Sequence, residues 1–226
     1  MLIFFLLAAI VGYLLGALPF GYWVARARGV DIFAVGSGNP GSTNVRRVLG
    51  RGPGNTVLVL DGLKGTLAAG WALLAHTPVS VVATFDGLPA WLQVSVAGAN
   101  WLGVGVAGLL GALLGHSFSC FTRFRGGKGV ATGAGGFFVL FPLGAAVAAV
   151  AWGLTAALTR YVSVASIMAA VALTAVAWLR PTPPLLQGVC TGVMIFVIFR
   201  HRTNLARLRA GTENRMGQPP TNPPPP

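Results

Sequence analysis

Long apolar stretches separated by short polar segments run along most of the chain. Apolar residues make up 54% of the 226 positions, and charged residues make up only 9%. A helix needs about 20 apolar residues to cross a bilayer, and fewer where it is partly buried in protein. The chain has seven such stretches, at 3–24, 56–75, 92–115, 129–141, 143–159, 161–179 and 185–200. The pattern predicts an all-α integral membrane protein with about seven transmembrane helices.

The fourth stretch is the least regular. It is short, Gly135 and Gly136 weaken it as a helix, and Pro142 interrupts the path to the fifth stretch. The segment 129–159 is therefore predicted to be either two spans or one broken helix. Irregular backbone at membrane depth is tolerated where it is buried or lines a cavity, so short or broken helices are expected at a site here.

Basic residues are concentrated in alternate connections between the apolar stretches. These connections and the C-terminal tail contain Arg26, Arg28, Arg46, Arg47, Arg51, Arg123, Arg125, Lys128, Arg160, Arg200, Arg202, Arg207, Arg209 and Arg215. The remaining connections, 76–91 and 180–184, contain Arg180 alone. Because cytoplasmic loops are rich in Lys and Arg, the asymmetry predicts an N-terminus outside and a C-terminus in the cytoplasm.

The net charge of +12 comes from 16 Lys and Arg residues against four Asp and Glu residues. We attribute this charge to membrane topology and predict no nucleic-acid partner. Cys120 and Cys190 are too isolated for a disulfide framework or a metal site. The scarcity of carboxylates argues against a two-metal site, so no metal and no cofactor are predicted.

Two glycine-rich segments on the predicted cytoplasmic side carry many hydrogen-bond donors. Segment 36–47 has the sequence GSGNPGSTNVRR, and segment 123–133 has the sequence RFRGGKGVATG. Glycines permit close backbone approach, and amides, hydroxyls and cations bind phosphate, so both segments are predicted to bind phosphorylated substrates. The candidate ligands are Ser37, Asn39, Thr43, Asn44, Arg47, Gly126, Gly127, Lys128 and Gly129. Walker A spacing is absent, and the alternative for the second segment is a positively charged turn.

Two polar pairs with three-residue spacing follow later in the chain. Ser163 and Ser166 share a helix face, either as ligands or as partners of the preceding turn. His201 and Asn204 follow the last stretch, where they either hold a substrate and move a proton or are ordinary interface residues.

Three further features complete the sequence-based prediction. Asp61 and Lys64, three residues apart, are predicted to form a structural ion pair, and His116 to lie behind the site. The domain is predicted to cover 1–215, and the Pro-rich tail 216–226 to be disordered.

Four motifs in this order resemble the bacterial PlsY family of glycerol-3-phosphate acyltransferases, which use acyl phosphate. The similar segments are 36–47, 124–132, 161–166 and 201–204, with Gly211 and Glu213 downstream. The resemblance covers roughly residues 10 to 215. One departure lies within the first motif, where Ser42 stands in place of the alanine that is usual in the family.

The resemblance implies transfer of an acyl group from acyl phosphate to the 1-hydroxyl of glycerol 3-phosphate, giving lysophosphatidic acid and inorganic phosphate. It also implies a multi-pass enzyme of the bacterial cytoplasmic membrane, in contact with lipid, with its active site facing the cytoplasm. The enzyme that makes acyl phosphate is an expected partner.

The residue roles carried over by resemblance form one site. Glycerol 3-phosphate is expected to be surrounded by Ser37, Arg47, Lys128, Ser166, His201 and Asn204. As a hypothesis, the loop 126–129 holds the phosphoryl group of acyl phosphate. His201 and Asn204 either orient the hydroxyl while its proton passes to a substrate phosphate, or His201 is a general base.

Two other classes of protein remain open at this stage. An organophosphate transporter would use the glycine-rich segments as a gate, although the chain shows no internal repeat. A scaffold for anionic lipids would explain the arginines but not the asparagines and Ser166.

Overall fold

The protein is a bundle of helices whose polar connections meet at one end. The computed structural model describes residues 2–76, 82–83, 94–95 and 100–218. The α-helices in these residues are α1 (Leu2–Ala17), α2 (Phe20–Arg26), α3 (Ser42–Leu49), α4 (Arg51–Ala69), α5 (Trp101–Ser117), α6 (Val130–Leu140), α7 (Pro142–Thr159), α8 (Val162–Leu179), α9 (Pro184–Arg200) and α10 (Arg202–Arg209). Short 3₁₀ helices lie at Gly70–His76 and Cys120–Thr122. The predicted all-α membrane architecture is confirmed, with one addition: the two-residue strands β1 (Val82–Ala83) and β2 (Val94–Ser95) pair antiparallel.

Among the described residues, five helical segments are long and apolar enough to cross a membrane. They are Leu2–Arg26, Arg51–Leu73, Trp101–Thr122, Pro142–Thr159 and Val162–Leu179, and α9 with α10 adds a sixth if that bent pair forms one span. Helix α6 has only 11 residues. At 1.5 Å per residue it extends about 16 Å, roughly half of the hydrocarbon thickness. The count of seven spans and the orientation of the termini therefore stay predictions.

The segment 129–159 forms two helices. Helix α6 ends at Leu140, Phe141 adopts φ −150° and ψ 70°, and α7 begins at Pro142. Proline lacks a backbone N–H, which is not needed in the first turn of a helix, and its fixed φ suits that position. Pro142 therefore starts a new helix instead of kinking a continuous one.

The predicted stretch 3–24 corresponds to the candidate span Leu2–Arg26. The helix within it is interrupted between α1 and α2, where Pro19 precedes the first residue of α2. Two other predicted boundaries are wrong. The second stretch becomes helical at Arg51 rather than at 56. The third begins at Trp101 rather than at 92, because the Asn100 side chain accepts the Gly103 N–H at 2.9 Å and caps α5 there.

Small residues allow α1 and α5 to pack backbone against backbone. A Cβ atom at Gly12 would overlap the carbonyl oxygen of Gly108, and one at Gly115 would overlap that of Tyr13. Small residues at such positions let membrane helices approach closely within a bundle.

Helices α4 and α6 approach equally closely, and this contact positions the second glycine-rich segment. A Cβ atom at Gly65 would overlap the carbonyl oxygen of Thr132 in the first turn of α6. On the same helix α4, the predicted ion pair is confirmed: Lys64 Nζ lies 2.9 Å from Asp61 Oδ1. Lys64 Nζ also donates to the Leu18 carbonyl at 3.1 Å, which connects α4 to the break between α1 and α2.

The described chain ends at Gln218, inside the segment predicted to be disordered. Met216 exchanges two backbone-directed hydrogen bonds with Arg160: its N–H donates to the Arg160 carbonyl at 2.7 Å, and its carbonyl accepts from Arg160 Nη2 at 2.8 Å. The remainder of the predicted tail, 219–226, lies outside the described residues.

We expect Gly65→Ala to lower the thermal stability of the protein in detergent, because the new methyl group pushes α4 away from the backbone of α6. Overpacking of this kind costs about 1–3 kcal/mol. Gly192→Ala is the matched control, since that helical glycine in α9 has no heavy atom within 4 Å of an added Cβ. Equal melting temperatures for the two variants would contradict the close α4–α6 contact.

Candidate active site

One cavity of about 360 Å³ lies where the polar connections meet the bundle. Most of the site residues predicted from the sequence line it: Ser37, Asn39, Thr43, Asn44, Arg47, Lys128, Gly129, Ser163, Ser166, His201 and Asn204. They come from segments separated by more than 160 residues in the sequence. The structure therefore brings the four motifs together at one end of the bundle.

Gly126 and Gly127 do not line this cavity. They lie on a smaller neighbouring space with Lys64, and Asp61 and His116 border both spaces. The Gly127 N–H donates to the His116 carbonyl at 3.0 Å, and a Cβ atom at Gly127 would overlap the His116 ring. His116 thus lies behind the loop, as predicted, and the loop enters the cavity through Lys128 and Gly129.

The first glycine-rich segment is folded around the buried side chain of Asn44. Its Oδ1 accepts the Ser37 N–H at 2.8 Å, and its Nδ2 donates to the Val35 carbonyl at 3.1 Å. Gly36 and Gly38 have φ values of 59° and 65°, a left-handed conformation that glycine adopts without penalty. Asn44 therefore shapes the loop that presents Ser37 to the cavity.

Asn39 connects the two glycine-rich segments. Its Oδ1 accepts the Gly41 N–H at 2.9 Å, just before α3, and its Nδ2 donates to the Gly126 carbonyl at 3.4 Å. One side chain thus bonds to the backbone of both segments.

Glu213 joins the C-terminal part of the site, and the sequence pattern did not single it out as a site residue. Its Oε1 accepts from Asn204 Nδ2 at 2.6 Å and from Ser163 Oγ at 2.9 Å. Its Oε2 accepts from Arg207 Nε at 2.8 Å. The chain returns to these partners through Gly211, whose φ is 70°. The available signal was a single carboxylate in an otherwise basic C-terminal segment.

Lys128 is a buried cation in contact with this cluster. Its Nζ donates to Asn204 Oδ1. Burial lowers the pKa of Lys128 to about 8; the charge of Glu213 opposes this shift, and the charges of Arg207, Arg200 and Arg47 reinforce it. The ammonium group is therefore charged at neutral pH but close to its titration range, as expected for a site that awaits an anion.

The His201 side chain has a defined tautomer. Its Nδ1 lies 2.8 Å from the Val197 carbonyl, which can only accept, so Nδ1 carries the proton. In the neutral ring, Nε2 is then the acceptor. His201 lines the cavity, so this nitrogen is suited to accept a hydrogen bond from a substrate hydroxyl.

The two serines of α8 have different partners. Ser166 Oγ donates to the Val162 carbonyl at 2.8 Å and accepts from Trp152 Nε1 at 3.4 Å, so it bonds to the preceding turn. Ser163 donates to Glu213 instead. Ser166 thus bonds to the preceding turn, the local alternative considered from the sequence, and it also lines the cavity. Its role as a ligand stays a prediction.

The polar end of the cavity is electropositive for two reasons. The N-terminal residues of α3, α6 and α8 border it, and the first N–H groups of a helix have no partner within that helix and attract anions. Arg47, Lys128 and Arg207 add three cations, against the carboxylate of Glu213 and an Asp61 that is paired with Lys64. Such a chamber suits phosphate groups.

The other end of the cavity is apolar and opens sideways. Its walls are the small and aromatic side chains Ala131, Ala134, Phe137, Phe138, Ala145, Ala148, Ala149, Trp152, Ala169, Ala170, Leu173, Val193 and Val197. Phe138 on α6 and Ala149 on α7 border the cavity and are also exposed on the surface of the bundle. The apolar end of the cavity therefore reaches the surface of the bundle beside α6 and α7.

The described part of the chain contains no group of three His, Cys, Asp or Glu side chains placed to hold a metal ion. The side chains that border the cavity offer amides, hydroxyls, cations, the carboxylates of Asp61 and Glu213, and the imidazoles of His116 and His201.

Comparisons with known proteins agree with this geometry. The family model described as glycerol-3-phosphate acyltransferase matches residues 6–211. The glycerol-3-phosphate acyltransferase of Synechococcus sp. (strain JA-3-3Ab) is 42% identical over 219 residues, which cover 94% of each chain. Glycerol-3-phosphate acyltransferase 1 of Deinococcus radiodurans is 42% identical over 218 residues, covering 94% of this chain and 96% of the relative.

Two solved structures of PlsY, an integral membrane glycerol 3-phosphate acyltransferase, have a similar fold. The glycerol 3-phosphate form superimposes with a TM-score of 0.79 at 35% identity, covering 94% of this chain and 96% of that chain. The lysophosphatidic acid form has a TM-score of 0.76 at 34% identity, with coverage of 94% and 95%.

We expect Glu213→Gln to destabilise the site, because the amide places N–H groups where Asn204, Ser163 and Arg207 already donate. The loss of charge-assisted hydrogen bonds corresponds to about 1–3 kcal/mol. The measurements are the melting temperature in detergent and the affinity for glycerol 3-phosphate. Asp31→Asn is the control, since that exposed side chain accepts only the Phe33 N–H, at 3.0 Å, and Asn retains the acceptor. A Glu213→Gln protein as stable and as tight-binding as Asp31→Asn would contradict the role of Glu213.

Proposed function

The chain belongs to the glycerol-3-phosphate acyltransferase family, and we propose that it transfers an acyl group from acyl phosphate to the 1-hydroxyl of glycerol 3-phosphate. The hydroxyl oxygen bonds to the acyl carbon while the bond from that carbon to the phosphate oxygen breaks. Lysophosphatidic acid and inorganic phosphate result. The observation that carries this proposal is a single cavity in which a cationic chamber continues into an apolar slot open to lipid.

Glycerol 3-phosphate, which is polar throughout, fits the cationic end. Its phosphate would lie between Arg47 and Lys128, since the guanidinium group binds two phosphate oxygens and the ammonium group adds a compact charge. Asn204 is in contact with Lys128 and next to Glu213, so it can fix the glycerol hydroxyls. Ser37, which belongs to the first glycine-rich segment, also lines this end of the cavity.

Acyl phosphate has a charged head and an apolar chain, and so it fits across the boundary of the two ends. Its phosphoryl group would lie at the free N–H groups of Gly129, Val130 and Ala131 at the start of α6. Its chain would lie among the alanines of α7 and α8 and enter through the seam between α6 and α7. The sequence-based hypothesis assigned the phosphoryl group to the whole loop 126–129. Because Gly126 and Gly127 lie outside the cavity, Lys128 and Gly129 remain as the candidates within that loop.

The reaction needs orientation more than a protein nucleophile. Phosphate is a good leaving group, so positioning of the hydroxyl against the acyl carbon supplies much of the rate enhancement. The unprotonated Nε2 of His201 accepts the hydrogen bond of the attacking hydroxyl. The proton then passes to an oxygen of the departing phosphate, which becomes more basic as the bond to carbon breaks.

We also infer that the enzyme lies in the bacterial cytoplasmic membrane with this site facing the cytoplasm. The basic connections of the chain support this orientation, since positively charged loops are retained on the cytoplasmic side. Both glycine-rich segments border the same cavity, as one-sided placement requires.

The first experiment is incubation of the purified protein with labelled glycerol 3-phosphate and either acyl phosphate or acyl-CoA. We expect labelled lysophosphatidic acid only with acyl phosphate. Product formed only with acyl-CoA would refute the proposed donor. No product from either donor, together with uptake of label by liposomes that contain the protein, would favour a transporter.

We expect the affinity for glycerol 3-phosphate to fall above pH 8. The Lys128 ammonium has a pKa of about 8 in the free protein, so it loses its charge as the pH rises through that value. Loss of a charge-assisted contact corresponds to about a tenfold or larger increase in Kd between pH 7.5 and 9.5. Binding of labelled glycerol 3-phosphate over this range measures the effect.

Lys128→Arg is the control for this pH dependence, because arginine stays charged throughout the range. Its Kd is expected to differ from that of the wild type but to stay nearly constant from pH 7.5 to 9.5. A wild-type Kd that is equally constant would show that the charge of Lys128 does not contribute to binding.

A further inference from the structure

Arg200, the last residue of α9, holds the glycine loop from outside the cavity. Its Nη2 donates to the Gly127 carbonyl at 2.7 Å and lies 3.3 Å from the Gly126 carbonyl and 3.5 Å from the Ser117 carbonyl. The guanidinium group also stacks over the Phe118 ring, 5.0 Å from its centroid. One side chain thus binds both glycines that lie outside the cavity.

The charge of Arg200 is directed at these carbonyls. The ion pairs found among the described residues join Lys64 and His116 to Asp61 and Arg207 to Glu213, and none involves Arg200. Arg200 is not among the residues that border the cavity. Its side-chain contacts within the described part of the chain are with the carbonyls of Ser117, Gly126 and Gly127 and with the Phe118 ring.

The hydrogen bond from Arg200 to the Gly127 carbonyl also determines the direction of the Lys128 N–H, because both belong to the same peptide bond. In a trans peptide the C=O and the following N–H point in opposite directions. With the Gly127 carbonyl directed at Arg200, the Lys128 N–H points away from Arg200. The Gly127 N–H is held in turn by the His116 carbonyl at 3.0 Å. Both peptides of the loop are therefore fixed immediately before Lys128 and the start of α6.

We propose that Arg200 is a positioning residue that acts through Gly126 and Gly127 to hold Lys128 and the first turn of α6 in their binding arrangement. The inference rests on the proposed function. Arg200 also directly precedes His201, so the same residue couples the phosphate-binding loop to the helix end that carries the proposed hydroxyl acceptor. Loss of the contact disturbs both phosphate binding and the alignment of the hydroxyl.

Three variants test this inference. Arg200→Gln removes the charge and most of the donors, and Arg200→Lys retains the charge without the planar fork. Arg202→Gln is the matched control, because Arg202 is exposed and its contacts are with Phe199: its Nη1 lies 3.4 Å from the Phe199 carbonyl, and its guanidinium carbon lies 4.5 Å from that ring. The measurements are melting temperature, kcat and KM for both substrates, and the pH dependence of glycerol 3-phosphate binding.

We expect Arg200→Gln to lower kcat/KM for glycerol 3-phosphate by about tenfold to a hundredfold, as loss of hydrogen bonds from a charged donor does. Arg200→Lys is expected to be intermediate, and Arg202→Gln to stay within about twofold of the wild type. The charge of Arg200 lowers the pKa of Lys128. In Arg200→Gln, the affinity for glycerol 3-phosphate is therefore expected to fall at a higher pH than in the wild type. Arg200→Lys keeps the wild-type pH dependence, which a general loss of stability would not explain.

The outcomes separate the two proposals. If the wild type forms no lysophosphatidic acid, the proposed function fails, whatever the variants do. If the wild type is active and Arg200→Gln matches Arg202→Gln in kcat/KM and pH dependence, the role of Arg200 is refuted. If Arg200→Gln does not fold, Arg200→Lys decides: a reduced kcat/KM at the wild-type melting temperature supports the inference, and an unchanged value overturns it.

Discussion

The carboxylate of Glu213 is the interaction on which the arrangement of the site depends. Three cations, Arg47, Lys128 and Arg207, border one cavity and repel one another in a partly buried environment. Glu213 offsets part of this repulsion and also binds Asn204 and Ser163, so it connects α8 to α10. A single negative charge thereby lets the three cations border one cavity and still leaves a net positive chamber for phosphate.

The apolar bundle accommodates this chamber by close backbone packing. Glycine contacts between α1 and α5 and between α4 and α6 remove side-chain volume from the interior. Helix α6 can then begin inside the bundle, where its first residues border the cavity instead of lipid. Exposed residues of α6 and α7 border the apolar end of the cavity, which is where the proposed function has the acyl chain enter. Short and interrupted helices thus allow a polar chamber and an apolar slot to form one continuous cavity.

Much of the site was predictable because its chemistry is local in sequence. Glycines beside hydroxyls, amides and cations indicate phosphate binding wherever they fold, and eleven of the predicted ligands line one cavity. Gly126 and Gly127 do not, because their carbonyls are bound by Arg200 on the far side of the loop. Glu213 and Arg200 were not identified as site residues. A carboxylate or an arginine in a basic segment has no distinctive local pattern, and its importance arises from partners distant in sequence.

The sequence by itself determined the membrane architecture and the kind of chemistry, because hydropathy and side-chain type act at every position independently of the fold. It also indicated the Asp61–Lys64 pair, since a three-residue spacing on a helix brings two side chains together. Only the folded structure decided that α5 begins at Trp101, because the Asn100 cap competes locally with the length of the apolar stretch. Only the tertiary structure, too, brought four motifs to one cavity and joined it to lipid, because such contacts depend on how helices pack rather than on which residues they contain.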